Sequence, residues 1–185
     1  MAERVCPVWI GYLLISPLRK LMHNPQTILA PHVKPGMTVV DVGSAMGFFS
    51  IPIAQMVGEK GKVICVDMQE GMLKRLEKRA RKAGVADRIE IRLCPQNSLG
   101  LQTMAGKADL AVVFFVVHEV PDQPRLFAEL SAVLKPSGQL LMVEPKGHVS
   151  EEGFQQSVAE AQKHGFTALA TPQVTRSRAV LFKKG

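Results

Sequence analysis

From residue 37 the chain alternates short apolar, β-branched runs with longer amphipathic stretches, and this alternation leaves few folds open. MTVVDV (37–42), KVICVD (62–67), RIEIRLC (88–94), ADLAVVFFVV (108–117) and QLLMVEP (139–145) read as strands. The fourth is almost unbrokenly apolar, as expected of a strand covered on both faces. Between the strands, FFSIPIAQMVG, GMLKRLEKRARKAG and the segment Gln123–Leu134 read as helices. Pro52 suits the first of these only near its first turn, and Gly84 ends the second. Lys135-Pro136-Ser137-Gly138 reads as a turn into the fifth strand. Such an order predicts parallel βαβ units in an α/β sheet. A helix over 151–164 and two further β-like runs, FTALAT and RSRAVLFKK, follow. Their short connection predicts an antiparallel hairpin closing the sheet.

The 185 residues are expected to form one domain, 1–185, large enough to bury a core unaided by disulfide or metal. Residues 1–35, punctuated by five prolines, read as a helical appendage to it. Cys6, Cys65 and Cys94 fall in different elements with no metal-ligand spacing, so no metal site is expected. The apolar VWIGYLLI is too short to span a bilayer, and Glu3 ahead of it argues against a signal peptide. The expectation is a cytoplasmic protein. A net charge of +7 permits an anionic partner, but its densest source, KRLEKRARKAG, has no aromatic residues interleaved. That stretch reads as a solvated helix face, and nucleic acid is not the expected partner.

The stretch VVDVGSAMG (39–47) stands where an open α/β sheet binds its ligands, at the carboxyl end of the first strand. Gly43 and Gly47 bracket a turn in which the midway place, where a third glycine is expected, holds Ala45. A second acid, Asp67, ends the next strand, where a carboxylate suits ribose hydroxyls. Two features speak against a dinucleotide or a nucleoside triphosphate. Asp41 would face a pyrophosphate at close range, and the loop has no lysine. A ligand carrying an ammonium and a sulfonium, but no phosphate, is favoured instead. The bland alternative is that Asp41 only caps the next helix.

At this point the chain resembles the class I S-adenosyl-L-methionine (SAM)-dependent methyltransferase family. The resemblance rests on VVDVGSAMG, VICVDMQEGML, ADLAVVFFVVHEVPD and LKPSGQLLMVEP, with the closing hairpin. It is nearest to small bacterial enzymes of the quinone-biosynthesis and arsenite type. It implies a three-layer αβα Rossmann-like sandwich with a seven-stranded, mostly parallel sheet. It further implies that Gly43, Ser44, Ala45 and Gly47 line the methionine part of SAM and that Asp41 holds its amino group, directly or through water. Asp67 would take the ribose and Met68 would pack on the adenine. Where the family carries an acid after the third strand, this chain has Gln96 and Asn97, whose amide oxygens would read the adenine amine.

Methyl transfer from a sulfonium needs alignment and a dry pocket, and needs a base only if the acceptor must lose a proton. His118, just past the fourth strand, is the candidate base; a pocket-wall role is the alternative. Glu119, Glu144 and His148 are expected at the same mouth. Trp9 and Tyr12, the only Trp and Tyr, are expected in a lid formed by the N-terminal helices, with packing on the domain as the equal alternative. The dispersed cysteines speak against arsenite, and HEVP after the fourth strand lacks the signatures of DNA-base methylases. A small-molecule acceptor is therefore expected, with a homodimer left open. The rival functions are a non-catalytic SAM-binding module and an RNA methyltransferase.

Overall fold

The computed structural model describes residues 22–185. Trp9, Tyr12 and Cys6, and with them most of the expected lid, lie outside the described residues. A short helix α1 (Pro25–Leu29) leads into β1 (Thr38–Val42), α2 (Ser50–Val57), β2 (Lys62–Asp67), α3 (Glu70–Lys82) and β3 (Ile89–Leu93). Then come β4 (Ala108–Phe114), α4 (Gln123–Val133), β5 (Leu134–Pro145), α5 (Glu151–Lys163), β6 (Phe166–Ala170) and β7 (Ser177–Lys184). The seven strands form one sheet in the order β3-β2-β1-β4-β5-β7-β6. β1 to β5 run parallel, and β7 lies antiparallel between β5 and β6. The predicted seven-stranded sheet and closing hairpin are present.

Strand alternation sends the apolar residues to two separate cores, one on each face. Val39, Val63, Cys65, Leu110 and Val112 pack with Leu29 of α1, Ile53 and Val57 of α2, and Leu76 and Ala80 of α3. Val40, Val42, Ile64, Val66, Ala111 and Val113 pack with Phe127 and Leu130 of α4 and Phe154 of α5. The helices begin where the chain supplies a cap or tolerates none. Asp122 accepts the N–H of Arg125 at 3.0 Å to start α4, and Ser150 accepts that of Gly153 at 3.0 Å to start α5. Pro52 sits in the first turn of α2, where its missing N–H costs nothing.

Two boundaries differ from the sequence expectation. β4 stops at Phe114 because Phe115 turns into the left-handed region, at φ +64°. Apolar character alone carried the reading on to Val117. Lys135-Pro136-Ser137-Gly138 is not a separate turn but a bulge inside β5: the register jumps from Ala108↔Leu134 to Leu110↔Gln139, with Ser137 at φ +64°.

The ring of Phe127 is fully buried against the middle of the sheet. Phe127→Ala should therefore cost about 3–5 kcal/mol, read as a lower urea midpoint with an unchanged slope.

Candidate active site

The strand order reverses between β1 and β4, which leave the switch point in opposite directions. The loops after these two strands meet there. The N–H groups of Gly43 and Ser44 both donate to the Val66 carbonyl, at 2.9 and 3.1 Å, so the β1 loop leans toward β2 before it turns. Gly43 has φ +69°, and a Cβ built on it would lie 2.3 Å from Cγ2 of Val116 in the β4 loop. Only glycine permits both the dihedral and this approach. Ala45 also stands in the left-handed region, at φ +45°, a conformation that costs a residue with a Cβ about 1–2 kcal/mol. Its N–H donates to Asp67 Oδ2 at 2.8 Å, a contact that holds the strained turn in place.

Asp67 ends β2 with 8 % exposure, and its other oxygen accepts the Gln69 N–H at 2.9 Å. Burial raises its pKa, partly countered by backbone N–H bonds from Gln69, Ala45 and Met68. A carboxylate offers about four acceptor positions, so Asp67 keeps capacity beyond these bonds. Met68 beside it is exposed, and so are Gln96 and Asn97 in the turn after β3. That turn is drawn close by the Cys94 N–H, which donates to the Asp67 carbonyl at 3.0 Å. Burial first, and then the charge of Asp67, push the Cys94 thiol up to about 11, so it is no thiolate nucleophile near neutrality. The Ser44 hydroxyl is buried with no hydrogen-bond partner among the described residues.

Asp41 is only 2 % exposed and accepts a 2.5 Å hydrogen bond from the hydroxyl of Ser50, the first residue of α2. It lies beneath the loop rather than on its surface. Glu144, expected at the mouth, is 1 % exposed. One of its oxygens accepts the N–H groups of Val116 and Val117, both at 3.1 Å. The other accepts the His118 N–H at 3.3 Å and His118 Nδ1 at 2.5 Å. This carboxylate raises the His118 pKa above its ordinary value, against the opposing effect of burial. His118 and His148 stand edge to face with centroids 6.0 Å apart. Burial raises the pKa of Glu119, with the charges of Glu144 and Asp67 adding and those of His118 and His148 opposing. Asp67, His118, Glu119, Glu144 and His148 thus share one electrostatic neighbourhood.

Four contributors were not singled out from the sequence. Ser50 holds Asp41, Val116 closes over Gly43, and Phe115 makes the strained exit from β4. Arg79, half-buried on the basic helix α3, donates to the Met46 carbonyl of the β1 loop. A side chain that reaches 33 residues back leaves no mark in local spacing.

A sequence profile described as a methyltransferase domain matches residues 33–177. This chain belongs to the methyltransferase-domain family. The SAM-dependent methyltransferase from Aquifex aeolicus superposes with a TM-score of 0.87 at 25% identity, covering 98% of this chain and all of that one. The likeness places this chain among the class I enzymes that use SAM. A geranyl diphosphate methyltransferase solved in complex with SAM has the same fold, with TM-score 0.71 and 17% identity over 94% of this chain and 89% of that one. The ubiquinone/menaquinone biosynthesis C-methyltransferase UbiE of Escherichia coli K12 is 31% identical over 118 residues, 64% of this chain and 46% of that protein. The chain thus spans about half the length of the curated relatives it matches.

The methyltransferase loop fits that cofactor on two observations: the buried, unpartnered Ser44 hydroxyl and the spare acceptor capacity of Asp67. Gly43→Ala should destabilise the domain by about 1–3 kcal/mol, and adding Val116→Ala should recover part of that loss in thermal unfolding. Ala45→Gly relieves the left-handed alanine and should change stability by no more than about +1 kcal/mol, since glycine's added chain entropy offsets the relief.

Proposed function

We propose that this methyltransferase domain transfers a methyl group from SAM to a carbon centre of a small-molecule acceptor in the cytoplasm. The observation that carries the reading is the junction at the switch point, where the Ala45 N–H meets the Asp67 carboxylate at 2.8 Å and ties the glycine loop to β2. SAM supplies a methyl group already activated on a sulfonium. The protein supplies position, charge and exclusion of water. In this reading Gly43, Ser44, Ala45 and Gly47 line the methionine end, and Ser44 donates its free hydroxyl there. Asp67 takes the ribose hydroxyls, Met68 packs on the adenine, and Gln96 or Asn97 accepts from the adenine amine. Asp41, beneath the loop, lowers the potential where the cofactor's positive groups lie. His118, Glu119 and His148 border the acceptor.

The name of UbiE supports carbon as the methylated atom. A small acceptor is favoured over RNA because α3 neutralises part of its own charge, through Lys74–Glu70 at 2.9 Å and Arg81–Glu77 at 2.6 Å. No helix among the described residues is long and apolar enough to cross a membrane.

Calorimetry with SAM and with its demethylated product is expected to give saturable binding for both; the absence of heat and of any thermal shift would remove the reading. Asp67→Ala should weaken binding by about 1–3 kcal/mol, and Ser44→Ala by about 1 kcal/mol with the free protein's stability unchanged. The raised pKa of Asp67 also predicts a pH effect. Because it protonates above the ordinary aspartate range, SAM affinity should fall with decreasing pH sooner than an unperturbed carboxylate would allow. The Asp67→Asn protein should lose that dependence.

A further inference from the structure

We propose that the outer edge of β3 is a self-association surface, on which a second copy of this chain lays its own β3 antiparallel, about a two-fold axis at Ile91. The two sheets are thereby joined into one.

The sheet ends in β3 on one side and β6 on the other. β6 is a blunted edge, because its register with β7 shifts between Ala168 and Ala170. β3 is not blunted: Ile89 to Leu93 pair with β2 residue by residue, with neither proline nor bulge among them. The Cys94 N–H donates inward, to the Asp67 carbonyl at 3.0 Å. Backbone direction alternates along a strand, so Glu90 and Arg92 also point in toward β2, and Ile91 and Leu93 turn both N–H and C=O outward. Ile89 offers its C=O there, since its N–H donates back to the Ala86 carbonyl. Among the described residues no strand pairs with this edge. Pro95, next in the outward series, has no N–H and closes the run. Leu93 is 58% exposed, an apolar side chain at the end of an open edge.

The side chains select the occupant. Read against itself in reverse, Ile89-Glu90-Ile91-Arg92-Leu93 sets Ile91 opposite Ile91, Ile89 opposite Leu93, and Glu90 opposite Arg92 on both sides of the axis. Apolar meets apolar on the α3 face, and opposite charges meet on the other. The facing Ile91 residues exchange both their hydrogen bonds, and each Leu93 N–H reaches the Ile89 carbonyl of the other copy. Moving the axis by one residue sets Glu90 against Glu90, or Arg92 against Arg92, so the neighbouring registers are repelled. Within one strand Glu90 already accepts Arg92 Nε at 2.8 Å, and Thr103 Oγ1 holds the same guanidinium at 3.2 Å. Pairing joins two such ion pairs into a ring of four charges. The helix above the edge is self-complementary in the same sense. A groove of about 510 Å³ runs between α3 and β3, floored by Ile89, Ile91 and Leu93. Along its rim stand Glu70, Lys74, Glu77 and Arg81, alternating acid and base. A half-turn reverses α3 against its copy, so Glu70 faces Arg81 and Lys74 faces Glu77. The net charge of +7 opposes association elsewhere on the surface, and this seam is where opposite charges alternate.

Sedimentation velocity over a dilution series of the full chain tests the proposal. The wild-type protein should pass from one copy to two as its concentration rises. Glu90→Arg and Arg92→Glu should each stay monomeric up to about 1 mM, because each sets like charges face to face. An equimolar mixture of these two variants should recover the dimer, since position 90 of each then meets an opposite charge at position 92 of the other. Neither variant regains its own Glu90–Arg92 pair in that mixture, so recovery reports the contact between copies alone. Hydrogen exchange should show the Ile91 and Leu93 amides slowing as the dimer forms, with Glu90 and Arg92 unchanged. A wild-type chain that stays monomeric up to about 1 mM overturns the proposal. A dimer that both variants keep, or one in which the Ile91 and Leu93 amides exchange unchanged, overturns it as well. Slow exchange of those two amides in a monomer would show the edge covered from within the chain, and also overturns it. The wild-type mass and exchange decide the matter even if a variant does not fold.

Discussion

The approach of Gly43 to Val116 sets the separation of the two loops from which the candidate site is built. A Cβ on Gly43 would lie 2.3 Å from a Val116 methyl, so the loops are as close as a polypeptide allows. Everything above the sheet follows from that spacing. The β1 loop bends toward β2 because β4 occupies the other side, and the bend carries the Ala45 N–H to Asp67. On the β4 side, Phe115 leaves the sheet through a left-handed turn, and Val116 and Val117 then present their N–H groups to Glu144. Strain at Ala45 and Phe115 is local. It persists because the hydrogen bonds on either side of each residue over-determine the path.

Three acids, one from each of β1, β2 and β5, lie at or near the carboxyl edge of the sheet, and all three are buried: Asp41, Asp67 and Glu144. Asp67 and Glu144 have no lysine or arginine in the hydrogen bonds that hold them. Their donors are backbone N–H groups and a histidine, and among the described residues Asp41 accepts from the hydroxyl of Ser50. Neutral donors satisfy a carboxylate without cancelling its field, whereas a guanidinium partner would cancel it. In a chain of net charge +7, Asp67 and Glu144 thus gather negative potential where the loops after β1 and β4 converge. A sulfonium cofactor gains from such a crevice, and a pyrophosphate does not.

Much of this was legible in the residues. Periodicity gave the strands and helices, because two-sided burial writes an almost unbroken apolar run and a helix writes its caps. Asp41 and Asp67 were legible as acids closing strands. Less legible was what each acid does, because that depends on contacts across the sheet. Asp41 meets Ser50, Glu144 meets a turn 26–28 residues earlier, and Arg79 leaves its charged helix to reach Met46. Ala45 was conspicuous as a departure from glycine, yet only its φ of +45° explains why glycine suits that place. The Lys135–Gly138 stretch carries turn chemistry that the sheet absorbs as a bulge, since flanking pairs with β4 outweigh a local preference.

The two halves of the crevice are built from different materials, and that difference bears on where specificity resides. On the proposed reading, the cofactor side would use backbone from the β1 loop and one carboxylate, groups that suit a ligand of fixed chemistry. The acceptor side would be the turn Val117–Glu119, which is held by one residue of the neighbouring strand, with His148 approaching from the next loop. Changes within 117–119 or 145–150 leave the Ala45–Asp67 junction untouched, because the hydrogen bonds that hold it come from Ala45 and Gln69. Glu144 is the exception: it is buried like a cofactor-side acid but organises the acceptor side, and a change there would reshape the backbone of 116–118 as well as the imidazole it orients.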